Sequence, residues 1–210
     1  MDKNYSYVSL LTDDTYTYGI VLLAETLKQA ESKYPLYVLV TDNVSESCLE
    51  ILNEIENVNY SIVDAIPIPE DIYNFNRSLD FRLGTIWKNT WTKFKIFDLT
   101  EFSKIVFLDA DIMILKNLDH LFEKPNLTAA VDGEYFHIYD EVFFNAGCMV
   151  VEPNHETFLN IIDFLTNLNY EDTKHTMLAD QTILNQYFSD WPQKEELHLN
   201  KYYNIFGPYI

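Results

Sequence analysis

The chain has 210 residues, enough for one domain with a full core, and 48% of them are hydrophobic, as a compact globular fold requires. Its 33 acidic residues against 14 basic ones give a formal net charge of -19, which excludes a broad nucleic-acid or anionic-membrane surface, because both need positive charge. A polyanionic ligand would have to be met through a cation. In chain order, Tyr5 to Leu11 is a short apolar run ending in Thr12-Asp13-Asp14, and Tyr18 to Ser32 carries apolar residues at helical spacing, which predicts a strand, a polar loop and a helix. Leu36 to Thr41 predicts a buried strand, about Ser45 to Ile55 a Ser-capped helix, and Val58 to Val63 another strand. Pro67 and Pro69, with the polar stretch to Leu79, predict a loop. A helix is expected around Thr90 to Asp98, and Ser103 to Leu108 is a near-continuous apolar strand running straight into Asp109-Ala110-Asp111. Thr128 to Val131 and Phe143 to Val151 predict further strands, and Glu156 to Leu168 and Met177 to Tyr187 predict amphipathic helices.

Strands alternating with helices imply an α/β fold built on a parallel sheet with right-handed crossovers, in a single domain over residues 1–210. Cys48 in a predicted helix and Cys148 in an apolar run make no disulfide framework, so a reducing compartment, the cytoplasm, is expected. The sequence shows neither a signal peptide nor an apolar run long enough for a membrane anchor.

Open α/β sheets bind ligands outside the carboxyl ends of their strands, which is where Asp109 and Asp111 fall. On an extended segment, residues two apart face the same side, and the small Ala110 between them crowds nothing, so both carboxylates can reach one hard cation. An isolated pair of this kind is usually a solvated turn. Here it stands between two apolar runs in a strongly acidic chain. Oxygen-only ligation suits Mn2+ or Mg2+, and such a metal would neutralise charge on a leaving diphosphate.

Five segments then occur in one order: Tyr7-Val-Ser-Leu-Leu-Thr-Asp-Asp-Thr-Tyr16, Thr92-Lys93, Lys104-Ile-Val-Phe-Leu-Asp-Ala-Asp111, Phe144-Asn-Ala-Gly-Cys-Met-Val150 and Ala179-Asp-Gln-Thr-Ile-Leu-Asn185. In order and approximate spacing they resemble the glycogenin-type retaining glycosyltransferases, glycosyltransferase family eight, across nearly the whole chain. The resemblance implies a GT-A fold, a Rossmann-like mixed sheet, mostly parallel and flanked by helices on both faces, and transfer of a hexosyl group from a UDP-sugar, UDP-glucose foremost, to a protein or glycan acceptor, with a divalent metal. It also implies roles at matching positions. Leu10, Leu11, Thr12, Asp13 and Tyr16 would line the uridine pocket, with Tyr16 stacking on the base. Asp109 and Asp111 would hold the metal, with Ala110 beside the donor, and Lys93 would contact the diphosphate. Asn145 and Ala146 would meet the donor sugar. Asp180 and Gln181 would stand near the anomeric carbon, Asp180 as nucleophile or stabiliser of the positive centre. A homodimer is a further expectation from the family.

The sequence departs from the family pattern in two places. The family completes its metal site with a histidine from a C-terminal His-x-x-Gly-x-x-Lys segment, whereas this sequence ends Asn204-Ile-Phe-Gly-Pro-Tyr-Ile210. Either the chain is a truncated piece or its metal site is incomplete, and neither His175 nor His198 lies in a context that substitutes for the missing ligand. The arginine that glycogenins place ahead of the Thr-Lys pair has no aligned match; Arg82 is near but shifted.

Overall fold

A computed structural model describes residues 4–132, 142–168 and 176–205. Among these residues seven strands form one sheet in the order β3-β2-β1-β4-β6-β5-β7. The strands are β1 (Tyr5–Leu11), β2 (Leu36–Thr41), β3 (Val58–Val63), β4 (Lys104–Leu108), β5 (Ala129–Asp132), β6 (Phe143–Val151) and β7 (His198–Leu199). β3, β2, β1 and β4 run parallel, β6 is antiparallel to both β4 and β5, and β7 is parallel to β5. The helices are α1 (Thr17–Gln29), α2 (Glu46–Glu54), α3 (Glu70–Leu79), α4 (Phe81–Ile86), α5 (His155–Thr166) and α6 (Asp180–Tyr187), with a run of 3-10 turns over Trp87–Asp98. No helix among the described residues is long and apolar enough to cross a membrane.

The central strands are buried on both faces because most of their positions are apolar, and the two-residue side-chain period divides them between two cores. Tyr7, Leu11, Val38, Val40, Val106, Leu108, Cys148 and Val150 face α1, α2 and Phe122. Val8, Leu39, Ile105, Phe107, Met149 and Val151 face the other way, onto Trp91, Phe94, Ile161, Ile183 and Trp191. Both cysteines are free and buried, and burial pushes the Cys148 thiol up to about 12, which makes it inert core material.

The stretch expected to be a loop after Pro69 is instead α3, with Pro69 as its N-cap. Glu70 and Asp71 sit in its first turn, where the helix dipole favours acids, and Ile72 and Asn76 form its buried face. Its polar sequence hides a narrow apolar stripe that packs on Trp91 and its neighbours. The helix expected from Thr90 takes the tighter 3-10 form and starts at Trp87, and the helix expected from Met177 starts at Asp180. The remaining predicted strands and helices match their sequence ranges to within a few residues.

Candidate active site

The parallel half of the sheet meets its antiparallel strand between β4 and β6, and the carboxyl end of β4 opens there. Leu108 pairs with Cys148, and the Asp109 N–H continues the ladder to the Gly147 carbonyl at 2.9 Å. The next two residues of β6 outward are Ala146 and Asn145, so the acidic turn and the Asn-Ala-Gly segment lie side by side. A cavity of 1160 Å³ occupies this edge, and Leu10, Thr12, Tyr16, Lys93, Asp109, Ala110, Asp111, Asn145, Asp180 and Gln181 all line it. Ten of the thirteen residues singled out from the sequence thus share one space.

The other three stand just behind its wall. Leu11 is fully buried in the core beneath α1. Asp13 caps the short 3-10 turn Asp14–Tyr16 by accepting from the Thr15 N–H at 2.8 Å, the ordinary use of an acid after a strand. Ala146 is 1% exposed and contributes its backbone, donating to Gln181 Oε1 at 3.0 Å and accepting from Lys93 Nζ at 3.4 Å.

Lys93 is the centre of the inner wall. It is 6% exposed, it lies over the Phe107 ring at 4.9 Å, and its Nζ pairs with Asp109 Oδ1 at 2.9 Å and with Asp180. With the Ala146 carbonyl, all three ammonium protons are engaged. Burial works against its charge, but the two carboxylates outweigh burial and hold the ammonium well above the ordinary lysine range. Asp109 moves the other way, since burial together with Asp180 and Asp111 pushes its carboxyl up to about 6 against the pull of Lys93. Thr92, fully buried beside it, accepts from the Ile66 N–H at 3.0 Å and so fixes the 3-10 run to the segment after β3.

Gln181 and Asn145 are equally constrained. Gln181 Nε2 donates to Asp132 Oδ2 at 2.6 Å while its Oε1 takes the Ala146 N–H. Asn145 Oδ1 accepts from the Gly147 N–H at 2.7 Å and from Asn204 Nδ2 at 2.6 Å. A backbone donor fixes which end of the Asn145 amide is oxygen, so its NH2 is the end left for a ligand. Two glycines allow these approaches. A Cβ at Gly147 would lie 2.9 Å from Asp109 Oδ2, and one at Gly19 would lie 2.2 Å from the Ala110 carbonyl oxygen, which lets α1 press directly on the acidic turn.

The outer rim differs. Asp111 is exposed and forms no ion pair among the described residues, and Tyr16 keeps 39% of its surface. Burial raises the Tyr16 hydroxyl, and Asp111, Asp13 and Asp109 add to the shift, which puts that ring in the field of the acidic turn. Among the described residues no group of three His, Cys, Asp or Glu side chains is placed to hold a metal. His198 stacks on Trp191, ring centroids 4.2 Å apart, and its Nε2 lies 3.3 Å from the Trp191 carbonyl, so it serves the core. His175 lies outside the described residues. Asp132 and Asn204, both lining the cavity, were not legible in the sequence, because each reaches the site only through pairing or chain return at the sheet's far edge.

This architecture is the GT-A glycosyltransferase fold. It overlays the galactosyltransferase LgtC, solved in complex with donor and acceptor sugar analogues, with a TM-score of 0.64 at 18% identity, covering 87% of this chain and 70% of that one. It overlays the glycosyltransferase GlyE of Streptococcus pneumoniae with a TM-score of 0.61 at 22% identity, covering 96% of this chain and 47% of that one. The chain belongs to glycosyl transferase family 8, whose family model matches residues 7–210. Among its relatives, human glycogenin-1 is 32% identical over 95% of this chain, and galactinol synthase 1 of Solanum lycopersicum is 30% identical over 93% of it. Glycogenin-1 of Caenorhabditis elegans is 33% identical over 89% of this chain. The chain spans 40% of the length of that last relative and 53% of the human one.

Proposed function

We propose that the chain transfers a hexosyl group from a UDP-sugar, UDP-glucose foremost, to a hydroxyl of a protein or glycan acceptor, with retention of configuration at the anomeric carbon. The observation that carries this reading is buried Lys93 held between buried Asp180 and half-buried Asp109 at the carboxyl end of β4, facing a cavity large enough for a nucleotide-sugar. Leu10, Thr12 and Tyr16 form the wall that would receive the uridine, with the half-open Tyr16 ring available for stacking. The Asn145 NH2, for which no bond is present among the described residues, would donate to a sugar hydroxyl. Asp180, paired with Lys93, would stabilise the positive charge that develops at the anomeric carbon as the bond to the diphosphate breaks. Because Lys93 has no spare proton, a contact to the diphosphate would exchange one of its present bonds.

Asp109 and Asp111 would hold Mn2+ or Mg2+. Two carboxylates without a third protein ligand fit a hard ion that takes its other oxygens from phosphates and water. When bound, that ion would supply neutralisation of the leaving diphosphate. Calorimetric titration of UDP with and without Mn2+, followed by UDP release from UDP-glucose, UDP-galactose and UDP-N-acetylglucosamine, tests the reading. Metal-dependent binding with release supports it. The incomplete ligand set among the described residues favours one alternative, a domain that holds the nucleotide-sugar without turnover, and binding without release would establish that alternative instead.

A further inference from the structure

Helix α6 delivers Asp180 and Gln181 as its first two residues, and its own start signals are only the acid Asp180 in the first turn and the Thr182 hydroxyl, which donates to the Met177 carbonyl at 2.8 Å. Its N-cap is Ala179, which makes no side-chain cap bond, and alanine is among the poorest residues at that position. The start is set from outside. Leu178, fully buried, donates its N–H to Asn76 Oδ1 at 2.8 Å and accepts from Asn76 Nδ2 at 3.4 Å and from Trp91 Nε1 at 3.1 Å. Asn76 is 1% exposed on α3, and Trp91 is 2% exposed and lies two residues before Lys93 on the same 3-10 run. One backbone unit therefore joins the helix that carries Asp180, the run that carries Lys93, and α3.

The anchor is itself braced. A Cβ at Gly84 would lie 2.6 Å from the Arg77 nitrogen and 2.7 Å from the Asn76 carbonyl carbon, so α4 rests directly on the α3 backbone at Asn76. Asp80 caps α4 by accepting from the Leu83 N–H at 2.9 Å, which closes the corner between the two helices. A fully buried amide spends both its donor and its acceptor on one peptide 102 residues away, a tie that an apolar side chain would fill by volume but not replace.

We propose that Asn76 is a positioning residue for the transfer reaction: by clamping the Leu178 peptide it fixes the first turn of α6, and with it the placement of Asp180 against Lys93. This rests on the transfer reading above. Asn76 does not line the cavity and its side-chain bonds both go to Leu178, so its effect belongs to the chemical step rather than to donor affinity.

The test compares wild type, Asn76→Leu, Trp91→Phe and a buried control remote from the site, Leu52→Ala on α2. Each full chain is examined by amide hydrogen exchange and by UDP release from UDP-glucose with Mn2+. Asn76→Leu is expected to speed exchange at Leu178 and the first turn of α6 by about ten-fold or more while β1, β2 and α2 keep their protection. It should lower kcat about ten-fold or more with KM for the donor within about two-fold, the signature of a misplaced reacting group. Trp91→Phe, which keeps an aromatic ring of smaller size and removes one bond, should move both readouts in the same direction by less, and it stands in if Asn76→Leu does not fold. Faster exchange spread evenly over the chain, or a kcat loss no larger than in Leu52→Ala, overturns the proposal. A wild-type chain that releases UDP from no donor overturns the transfer reading instead, and the exchange comparison then judges the clamp alone.

Discussion

The inner wall and the outer rim of the cavity are built from the same short segments but on opposite electrostatic terms. On the inner wall Lys93 and Asp180 have side chains 8% and 10% exposed, and every polar group of Lys93, Gln181 and the Asn145 oxygen is already bonded. On the rim, Asp111, two residues beyond Asp109, is exposed and unpaired among the described residues, and Tyr16, Met113 and Leu115 keep 39%, 49% and 68% of their surface. A wall whose dipoles are fixed in advance needs no reorganisation when charge develops beside it. A rim of unspent groups can gain its order only from a ligand. The difference divides the proposed labour, with the wall suited to the reacting centre and the rim to gripping a metal and a base.

The comparison breaks most directly at Lys93. Lys93→Met would leave Asp109 and Asp180 facing each other without a cation, and the loss of one partner from a buried ion pair costs about 3 kcal/mol or more. Urea unfolding reads that loss; a cost below about 1 kcal/mol, the level of a surface pair, would show that the wall is not the buried ionic unit described here. Next in size is Gly19→Ala, where the added methyl meets a backbone oxygen at 2.2 Å and α1 must move off the acidic turn. A cost of about 2 kcal/mol is expected from such overpacking, together with loss of metal-dependent UDP binding as Asp109 and Asp111 are displaced. Retained binding in a destabilised Gly19→Ala chain would show that the turn does not depend on α1.

The rim gives the contrasting result. Asp111→Asn removes an exposed charge with no partner to lose, so stability should stay within about 0.5 kcal/mol of wild type. UDP binding in Mn2+ should nevertheless fall to its metal-free level, measured by calorimetry. A large loss of stability, or undiminished binding, would erase the distinction between wall and rim.

The same distinction decides what the sequence could reveal. The parallel half was legible almost residue by residue, because strands buried on both faces are written as apolar runs such as Ile105 to Leu108. The acidic turn was legible because it follows such a run, and Lys93 and Asp180 were found only through the family order of motifs. Nothing local announces that these two meet, since one lies in a 3-10 run and the other at a helix start 87 positions later. Asn76, Asp132 and Asn204 were invisible for the same reason: each acts through a contact at long sequence separation, and Asn76 sits in a stretch whose polar composition reads as loop. Leu11 and Asp13 show the converse, two positions matching a motif whose side chains serve the core and a cap.

The smallest effect sharpens the comparison at a held carboxylate just outside the cavity, in the turn that precedes Tyr16. Asp14 Oδ1 accepts from the Ser45 N–H at 2.8 Å, joining the turn after β1 to the start of α2, and that backbone bond holds its carboxyl below the ordinary range. The folded pKa lies under the unfolded one, so the bond to the ionised form adds stability above the unfolded value, about pH 4, and that contribution fades as pH falls through the folded pKa. Asp14→Ala should therefore lower the urea midpoint slightly at pH 7 and leave it equal to wild type in strong acid. Because the carboxylate is exposed, salt should leave the difference largely intact if the backbone hydrogen bond is its source, whereas a purely coulombic source would be screened. A difference that persists unchanged into strong acid would mean that Asp14 acts through its packing rather than its charge, and the turn before Tyr16 would then owe nothing to this carboxylate's bond to Ser45.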